Sequence, residues 1–295
     1  MSIQSKHRFI RDDFSLNDSQ LFTEIAKKEP VSVANFVPLT WERAVDFSVF
    51  DEKGNKWIDL TSGIFVANAG HANPQIKQAI KDQVDADLLF AYNYPTEIKY
   101  KFIKKLLDLS PSHFKRAILL NSGSEAMDIV YKLLKLYGES KKKRYIVTFS
   151  GAYHGRGLSN DLISGHKNKA TTWSRVSDPD VHFVDYPYEA SAKIDLSKLP
   201  PLEDIAGFVL ETFQGWGAWF YPPNFVNELC ALARQSGALV CFDEMQAGFY
   251  RLGPLYGYMT YGKEIEPDII ALGKGISSSL PMSAVLAREG LVDLD

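Results

Sequence analysis

A lysine between two glycines is the first residue of this chain whose setting suggests chemistry. Lys274 lies in ALGKGISSSLP, residues 271–281, directly after the apolar run PDIIAL. A lysine that serves only solubility needs no such turn, because any exposed helix face would accommodate it. At the end of a buried strand an amine is partly desolvated, which lowers its pKa and makes it a nucleophile toward an aldehyde. We therefore predict that Lys274 forms a Schiff base.

A carboxylate follows the preceding apolar run. Asp243 lies in VCFDEMQAGFYRLG, residues 240–253, and Gln246 comes three residues later. A carboxylate at a strand end is costly to desolvate unless a cation lies nearby, so a basic side chain or a ligand cation is required. A protonated ring nitrogen would serve as that cation. The alternative, which needs no ligand, is that Asp243 caps the next helix.

A third motif could bind an anion. LLNSGSEAMDIV, residues 119–130, indicates a strand, a turn of small residues, and a helix that begins at Ser124 and Glu125. Such a helix start presents unpaired N–H groups to an anion, and Gly123 lets a phosphate approach the backbone. The same pattern also caps helices that bind nothing. A phosphate site, an acid for a pyridinium nitrogen and a Schiff-base lysine are together the protein parts that pyridoxal phosphate requires.

Seven short apolar runs must position these residues. They predict strands at 116–121, 145–150, 181–186, 205–211, 238–244, 267–273 and 283–288. Connections such as 124–138 and 224–237 have helical spacing and enough length to cross over between parallel strands. We predict an α/β fold with a mainly parallel seven-stranded sheet and helices on both faces. Residues 273–282 are too few for a crossover helix, so the final strand is expected to run antiparallel.

The part of the chain before this sheet predicts smaller elements. Residues 1–50 indicate an irregular lead-in, 47–60 a hairpin, and 74–89 and 97–110 helices. In doubly wound sheets ligands bind at the carboxyl ends of the strands, which is where the polar motifs fall.

The composition limits the classes of function. The chain has 295 residues, 45% of them hydrophobic, and a formal net charge of -3, so it can bury a large core and gives no field that favours nucleic acid. The basic run at 141–144 is expected to be a solvated helix end. Cys230 and Cys241 cannot form a disulfide framework, and no stretch resembles a signal peptide or a membrane span. We expect a soluble cytoplasmic protein with no membrane or nucleic-acid partner.

Five separated motifs resemble those of class III aminotransferases in order and spacing. They are NSGSEA, FSGAYHGR, ETFQG, FDEMQAGFYRLG and PDIIALGKGISS. This group of pyridoxal-phosphate enzymes includes ornithine, acetylornithine and 4-aminobutyrate aminotransferases. The resemblance begins near residues 54–74 and runs to the end of the chain. It implies the PLP-dependent transferase fold type I, with 1–55 an N-terminal segment of the small domain and 56–295 the large cofactor-binding domain.

The resemblance implies a role for each matching residue. Lys274 resembles the Schiff-base lysine, Asp243 the partner of the pyridinium nitrogen, and Gln246 the residue that binds the cofactor's phenolic oxygen. The other implied cofactor contacts are Ser122, Gly123 and Ser124 in the phosphate loop, Tyr153 stacked on the ring, His154 beside it, and Glu211 behind the cofactor. No metal is implied.

Two further residues concern the substrate. Arg156 resembles the arginine that many members present to a substrate carboxylate, which favours glutamate or 2-oxoglutarate as one partner. Pairing of Arg156 with a structural acid is the alternative. Trp216 stands where ornithine and 4-aminobutyrate enzymes have a glutamate that neutralises the arginine. An indole cannot do this, so Trp216, with Trp219, Phe220 and Tyr221, suggests either an aromatic wall for the amine or core packing.

The end of the chain differs from the family pattern. The sequence stops at LAREGLVDLD, where the resemblance implies a C-terminal small domain, so we expect this domain to be absent. The resemblance also implies a phosphate-binding threonine donated by a neighbouring subunit from beyond Asp295. A homodimer or a dimer of dimers is therefore expected.

The implied activity is transfer of an amino group from an amine or amino acid to a keto acid, either 2-oxoglutarate or pyruvate. An aminomutase or racemase would share every residue above but would need no separate acceptor. A catalytically silent module would bind the cofactor without a half-reaction. The sequence leaves these alternatives open.

Overall fold

The computed structural model describes residues 5–11, 20–29, 37, 39–91, 93–165 and 177–293. Contacts divide the chain into two compact units, Met1–Ala91 and Tyr92–Asp295. The predicted boundary at residue 55 separates the small domain from the large cofactor-binding domain, and it stays a prediction.

The described residues of the first unit form a small antiparallel sheet and three helical segments. Its elements are α1 (Gln20–Ala26), β1 (Arg43–Val45), β2 (Ser48–Phe50), β3 (Lys56–Ile58), α2 (Ser62–Phe65) and α3 (Pro74–Asp85). The sheet has the order β1-β2-β3, and β2 and β3 form the hairpin predicted within 47–60. Asp51 shapes the hairpin turn, because its carboxylate accepts from the backbone N–H groups of Lys53 and Asn55.

The second unit contains the large sheet and its helices. The helices are α4 (Glu97–Leu109), α5 (Gly123–Lys141), α6 (Leu158–Ile163) and α7 (Pro223–Ser236). The strands are β4 (Phe114–Leu120), β5 (Tyr145–Phe149), β6 (Val181–Val184), β7 (Ile205–Glu211), β8 (Phe213–Gln214), β9 (Trp219–Phe220), β10 (Leu239–Asp243), β11 (Ile269–Leu272) and β12 (Ser283–Arg288). Short 3-10 turns cover 196–198, 202–204, 257–261 and 274–276.

The large sheet has the order β4-β12-β11-β10-β7-β5-β6. Strand β12 is antiparallel to both of its neighbours, and the other four pairings are parallel. This confirms the predicted seven-stranded, mainly parallel sheet and the reversed final strand. Strand β12 runs antiparallel for the reason expected from the sequence. The link between β11 and β12 is too short to return the chain to the amino end of β11, as a parallel pairing would require.

Helices cover both faces of this sheet. Strand residues alternate between two buried clusters, so that Phe208 packs toward α7 and Val209 packs toward α5. Gly207 lets α5 approach β7, since a Cβ there would lie 2.5 Å from Leu134 Cδ2. Helix α5 begins with a capping box, and α7 ends at Gly237 with φ 68°. Helix α5 begins directly after β4, so its start lies at the same edge as the carboxyl ends of the parallel strands.

The basic run at the end of α5 has a mixed role. Lys141 and Lys142 are exposed, as the predicted solvated helix end requires. For Lys143 the prediction is wrong, because its Nζ donates to the carbonyl oxygens of Glu203 and Ser236, each at 2.8 Å. Lys143 therefore connects the end of α5 to the end of α7.

Candidate active site

Polar groups that follow five strands line one cavity of about 240 Å³ at the carboxyl edge of the large sheet. The lining residues are Gly123, Ser124, Tyr153, His154, Gly155, Glu211, Asp243, Met245, Gln246 and Lys274. Eight of them are residues that the sequence singled out. Gly155 and Met245 were missed, and Ser122, Arg156 and Trp216 lie outside the lining.

Asp243 ends β10 and is only 4% exposed. Its Oδ1 accepts from the Met245 N–H at 3.0 Å, and its Oδ2 lies 2.8 Å from His154 Nδ1. Turns rather than a helix follow it, so the alternative of a helix cap is wrong. His154 is buried, and its Nε2 has no hydrogen-bond partner among the described residues. The imidazole therefore orients the carboxylate and leaves a ring nitrogen available to another group.

Glu211 ends β7 and is paired in register with Asp243 across the two strands. Its Oε2 accepts from the Tyr153 N–H at 3.1 Å and its Oε1 from the Gly215 N–H at 3.3 Å. Burial raises the pKa of Glu211 to about 7; the negative charge of Asp243 adds to this effect and the imidazole of His154 opposes it. Two acids beside each other make this part of the cavity suited to a cation.

Lys274 begins the 3-10 turn after β11 with a left-handed backbone, φ 45°. Its side chain is half-buried, and burial lowers the pKa of Lys274 although the charges of Asp243 and Glu211 act in the opposite direction. A larger share of this amine is therefore unprotonated than in an exposed lysine. The preceding Gly273 has a role that the sequence did not reveal, because a Cβ there would lie 2.4 Å from Met245 Sδ.

The start of α5 is both a cap and a candidate anion site. The Ser122 side chain accepts from the Glu125 N–H, and Glu125 Oε2 accepts from the N–H groups of Asn121 at 3.0 Å and Ser122 at 2.6 Å. Those donors are used within the helix start. Gly123 and Ser124 line the cavity and supply the side of the turn that a ligand could reach.

Two residues that the sequence did not reveal pack on this helix start: Gly155, in the loop after β5, and Asn160, in α6. Gly155 has φ 118°, and a Cβ there would lie 2.6 Å from Ser124 Oγ. Asn160 is fully buried; its Nδ2 donates to the Ser124 carbonyl oxygen at 3.1 Å and its Oδ1 accepts from the Gly157 N–H at 2.7 Å. For Gly155 the sequence held a signal, the two glycines of GRG, residues 155–157.

Tyr153, Arg156 and Trp216 lie beside one another. Arg156 Nε donates to the Tyr153 hydroxyl at 3.2 Å, and the Tyr153 and Trp216 rings meet edge to face with centroids 6.0 Å apart. Arg156 is exposed and forms no ion pair with an acid among the described residues. Trp216 is 54% exposed, which is incompatible with core packing, whereas Tyr221 is buried in the core.

Gln246 follows Asp243 and faces the same cavity. Its Oε1 is buried and has no hydrogen-bond partner within the described part of the chain. A Cβ at Gly215 would lie 2.0 Å from Gln246 Nε2, so this glycine makes room for the amide. In the described residues no group of three or more His, Cys, Asp or Glu side chains could hold a metal ion.

A family model described as aminotransferase class-III matches residues 30–294. The chain belongs to the class III aminotransferases. Among its relatives, succinylornithine transaminase of Photorhabdus laumondii is 30% identical over 262 residues, which are 88% of this chain and 62% of that protein. The 2-aminoadipate transaminase of Pseudomonas putida is 31% identical over 276 residues, covering 88% of this chain and 65% of its own length. The chain thus spans less than two thirds of these relatives.

Solved transaminases share the fold. An (S)-enantioselective omega-transaminase from Thermomicrobium roseum superimposes with a TM-score of 0.82 at 22% identity, over 95% of this chain and 68% of that one. An omega-transaminase from Pseudomonas jessenii, solved in complex with PMP, gives a TM-score of 0.82 at 23% identity, over 93% and 67%. The observed sheet is that of fold type I. Across the described residues, no helix is long and apolar enough to span a bilayer.

Proposed function

We propose that this class III aminotransferase chain provides the active site for transfer of an amino group from an amine or amino acid to a keto acid, 2-oxoglutarate or pyruvate. One observation supports this most strongly. Lys274, Asp243 and the start of α5 reach one cavity from three elements that are far apart in the sequence. A half-buried amine, a buried carboxylate and a helix start are the parts that pyridoxal phosphate requires.

The residues of the cavity fit this cofactor. The Oε1 of Gln246 and the Nε2 of His154 are buried polar atoms without hydrogen-bond partners among the described residues, so the cavity has polar capacity that a polar ring would use. Asp243 would pair with the ring nitrogen, Gly123 and Ser124 would bind the phosphate, and Tyr153 would lie on the ring face. Lys274 would hold the cofactor covalently.

The cofactor, when bound, supplies an electron sink for the negative charge that develops on the substrate carbon. Asp243 would keep a proton on the ring nitrogen, and the hydrogen bond between His154 Nδ1 and Asp243 Oδ2 fixes the carboxylate for this task. Lys274 Nζ would take the proton from the substrate carbon and carry it away from that carbon, as net amino transfer requires. The lowered pKa of Lys274, caused by burial, favours this role because a general base must be unprotonated.

Arg156 and Trp216 would contact the substrate. The guanidinium of Arg156 is exposed and pairs with no acid among the described residues, which leaves it available to a substrate carboxylate. The half-exposed indole of Trp216 forms one aromatic surface with Tyr153. We therefore propose a carboxylate-bearing partner for Arg156 and an apolar amine substituent for Trp216.

The assembly and location are also proposed. The aromatic side chains of Trp219 and Phe220 are about half exposed on the β8–β9 hairpin, which favours association of two copies as a homodimer. Light scattering tests this by the particle mass. A cytoplasmic location agrees with the free, buried thiols of Cys230 and Cys241.

A donor screen tests the function. The protein is loaded with pyridoxal phosphate and mixed with glutamate, alanine or a simple amine, and the absorbance change is followed before and after a keto acid is added. We expect conversion of a donor in the first half-reaction and recovery only with a keto acid. Turnover that needs no acceptor would indicate an isomerase, and a loaded protein that converts no donor would contradict amino transfer.

A further inference from the structure

We infer that Glu211 is a positioning residue that holds Tyr153 and Trp216 together as one aromatic wall beside the cavity and thereby sets a preference for amines with an aromatic substituent. This inference rests on the proposed amino transfer. It goes beyond it by assigning to a buried strand-end acid the selection of the amine.

The geometry behind this inference is a single carboxylate bound to two loops. Glu211 Oε2 accepts from the N–H of Tyr153, in the loop after β5, and Glu211 Oε1 accepts from the N–H of Gly215, in the turn between β8 and β9. Gly215 directly precedes Trp216. The carboxylate thus fixes the backbone at both rings, whose centroids are 6.0 Å apart at an interplanar angle of 88°.

A second link between the loops lies further from the rings. Gln214 Nε2 donates to the Ser150 carbonyl oxygen at 2.9 Å, three residues before Tyr153. This bond joins the bases of the loops, so the loops stay associated when Glu211 changes. What Glu211 adds is the position of the rings themselves.

A carboxyl group with two oxygens can accept from both loops at once. Each of its oxygens accepts one N–H, whereas a glutamine has a single acceptor and would turn its NH2 group toward the other donor. Aspartate is one methylene shorter and cannot reach both N–H groups from the same strand position. E211Q therefore releases one of the two rings while retaining the size of the side chain.

The kinetic test uses 1-phenylethylamine and 2-aminopropane as donors to the protein loaded with pyridoxal phosphate. For E211Q we expect the KM for 1-phenylethylamine to rise about tenfold more than the KM for 2-aminopropane, the effect of one lost buried hydrogen bond on the aromatic wall alone. In W216A the preference for the aromatic amine should disappear, and E211Q should add nothing to it. Equal KM changes for both amines in E211Q would overturn the inference.

Hydrogen exchange of the backbone provides a readout that does not depend on activity. E211Q should accelerate exchange at the amide of Tyr153 or Gly215. The matched control is E244Q, since Glu244 is equally buried but accepts from the N–H groups of Gly257 at 2.6 Å and Tyr258 at 2.8 Å. That variant should accelerate exchange at 257–258 and leave the amides of the two wall loops unchanged.

The outcomes separate the two proposals. A wild-type protein that converts neither amine contradicts the proposed function, whereas unchanged exchange at both loop amides in E211Q contradicts the role of Glu211. If E211Q does not fold, W216A decides alone, because its half-exposed side chain can be removed without disturbing the core. An unaltered preference for the aromatic amine in W216A would overturn the inference.

Discussion

Asp243 depends on its neighbours for its orientation, and its charge is the feature that a substitution tests most directly. In Asp243→Asn the oxygen can still accept from the Met245 N–H, but the side chain loses the negative charge beside His154. We expect the fold to remain and kcat/KM to fall by an amount that corresponds to a loss of about 3–5 kcal/mol of transition-state stabilisation. Steady-state kinetics with circular dichroism as the folding control would measure this, and near-normal turnover would refute the role.

Glu244 gives the stability of the protein a pH dependence with a defined sign. Burial raises the pKa of Glu244 from 4.5 to about 7, although the hydrogen bonds that it accepts from Thr212, Gly257 and Tyr258 act to lower it. The folded state favours the protonated form of Glu244. The stability that this protonation contributes is therefore complete below pH 4.5 and is lost as the pH rises to about 7.

The matching experiment compares the free energies of unfolding of the wild type and E244Q in urea between pH 5 and pH 8. The free energy of unfolding of the wild type minus that of E244Q should decrease as the pH rises, by up to about 3 kcal/mol. A difference that does not change with pH, or one that increases, would contradict this assignment. E211Q should show the same trend, since burial raises the pKa of Glu211 to about 7 as well.

The sequence revealed the residues whose chemistry is intrinsic to their type. Lys274 and Asp243 could be found because a cation or an acid directly after an apolar run is conspicuous. Met245 and Asn160 could not be found, because their importance arises only in the folded chain. Met245 occupies the space left by Gly273, and Asn160 contacts Ser124, which is 36 residues away.

At the scale of elements, long periodic segments were predictable and short ones were not. The runs that became β7, β10 and β12 were identified, and the direction of β12 followed from the length of its connection. Helix α6 and the β8–β9 hairpin were missed. They have six and two residues per element, which is too short for a hydrophobic period to show.

Lys143 provides a test at this scale because it joins the ends of α5 and α7. Lys143→Met retains the aliphatic stem but removes the charged hydrogen bonds to Glu203 O and Ser236 O. We expect a loss of about 1.5–3 kcal/mol in the free energy of unfolding. The exposed neighbour Lys141 is the control, and Lys141→Met should change stability by less than about 0.5 kcal/mol. Equal effects of the two substitutions would show that Lys143 is merely solvated.

At the scale of the whole molecule, every residue proposed for catalysis lies in the unit Tyr92–Asp295. The sequence predicted its sheet because each strand and its connection left a pattern. Local sequence patterns do not encode contacts between domains or between subunits. The predicted division at residue 55 and the proposed homodimer depend on such contacts.

Lys274 is proposed to bind pyridoxal phosphate covalently, and every other role in the site depends on this bond. The most direct measurement is reduction of the loaded protein with borohydride, followed by mass mapping of the labelled peptides, for the wild type and for Lys274→Arg. Arginine retains the positive charge but cannot form a Schiff base, so we expect a single label on the peptide that contains Lys274 and none in the variant. A label on another lysine in the wild type, or equal labelling of the variant, would contradict it.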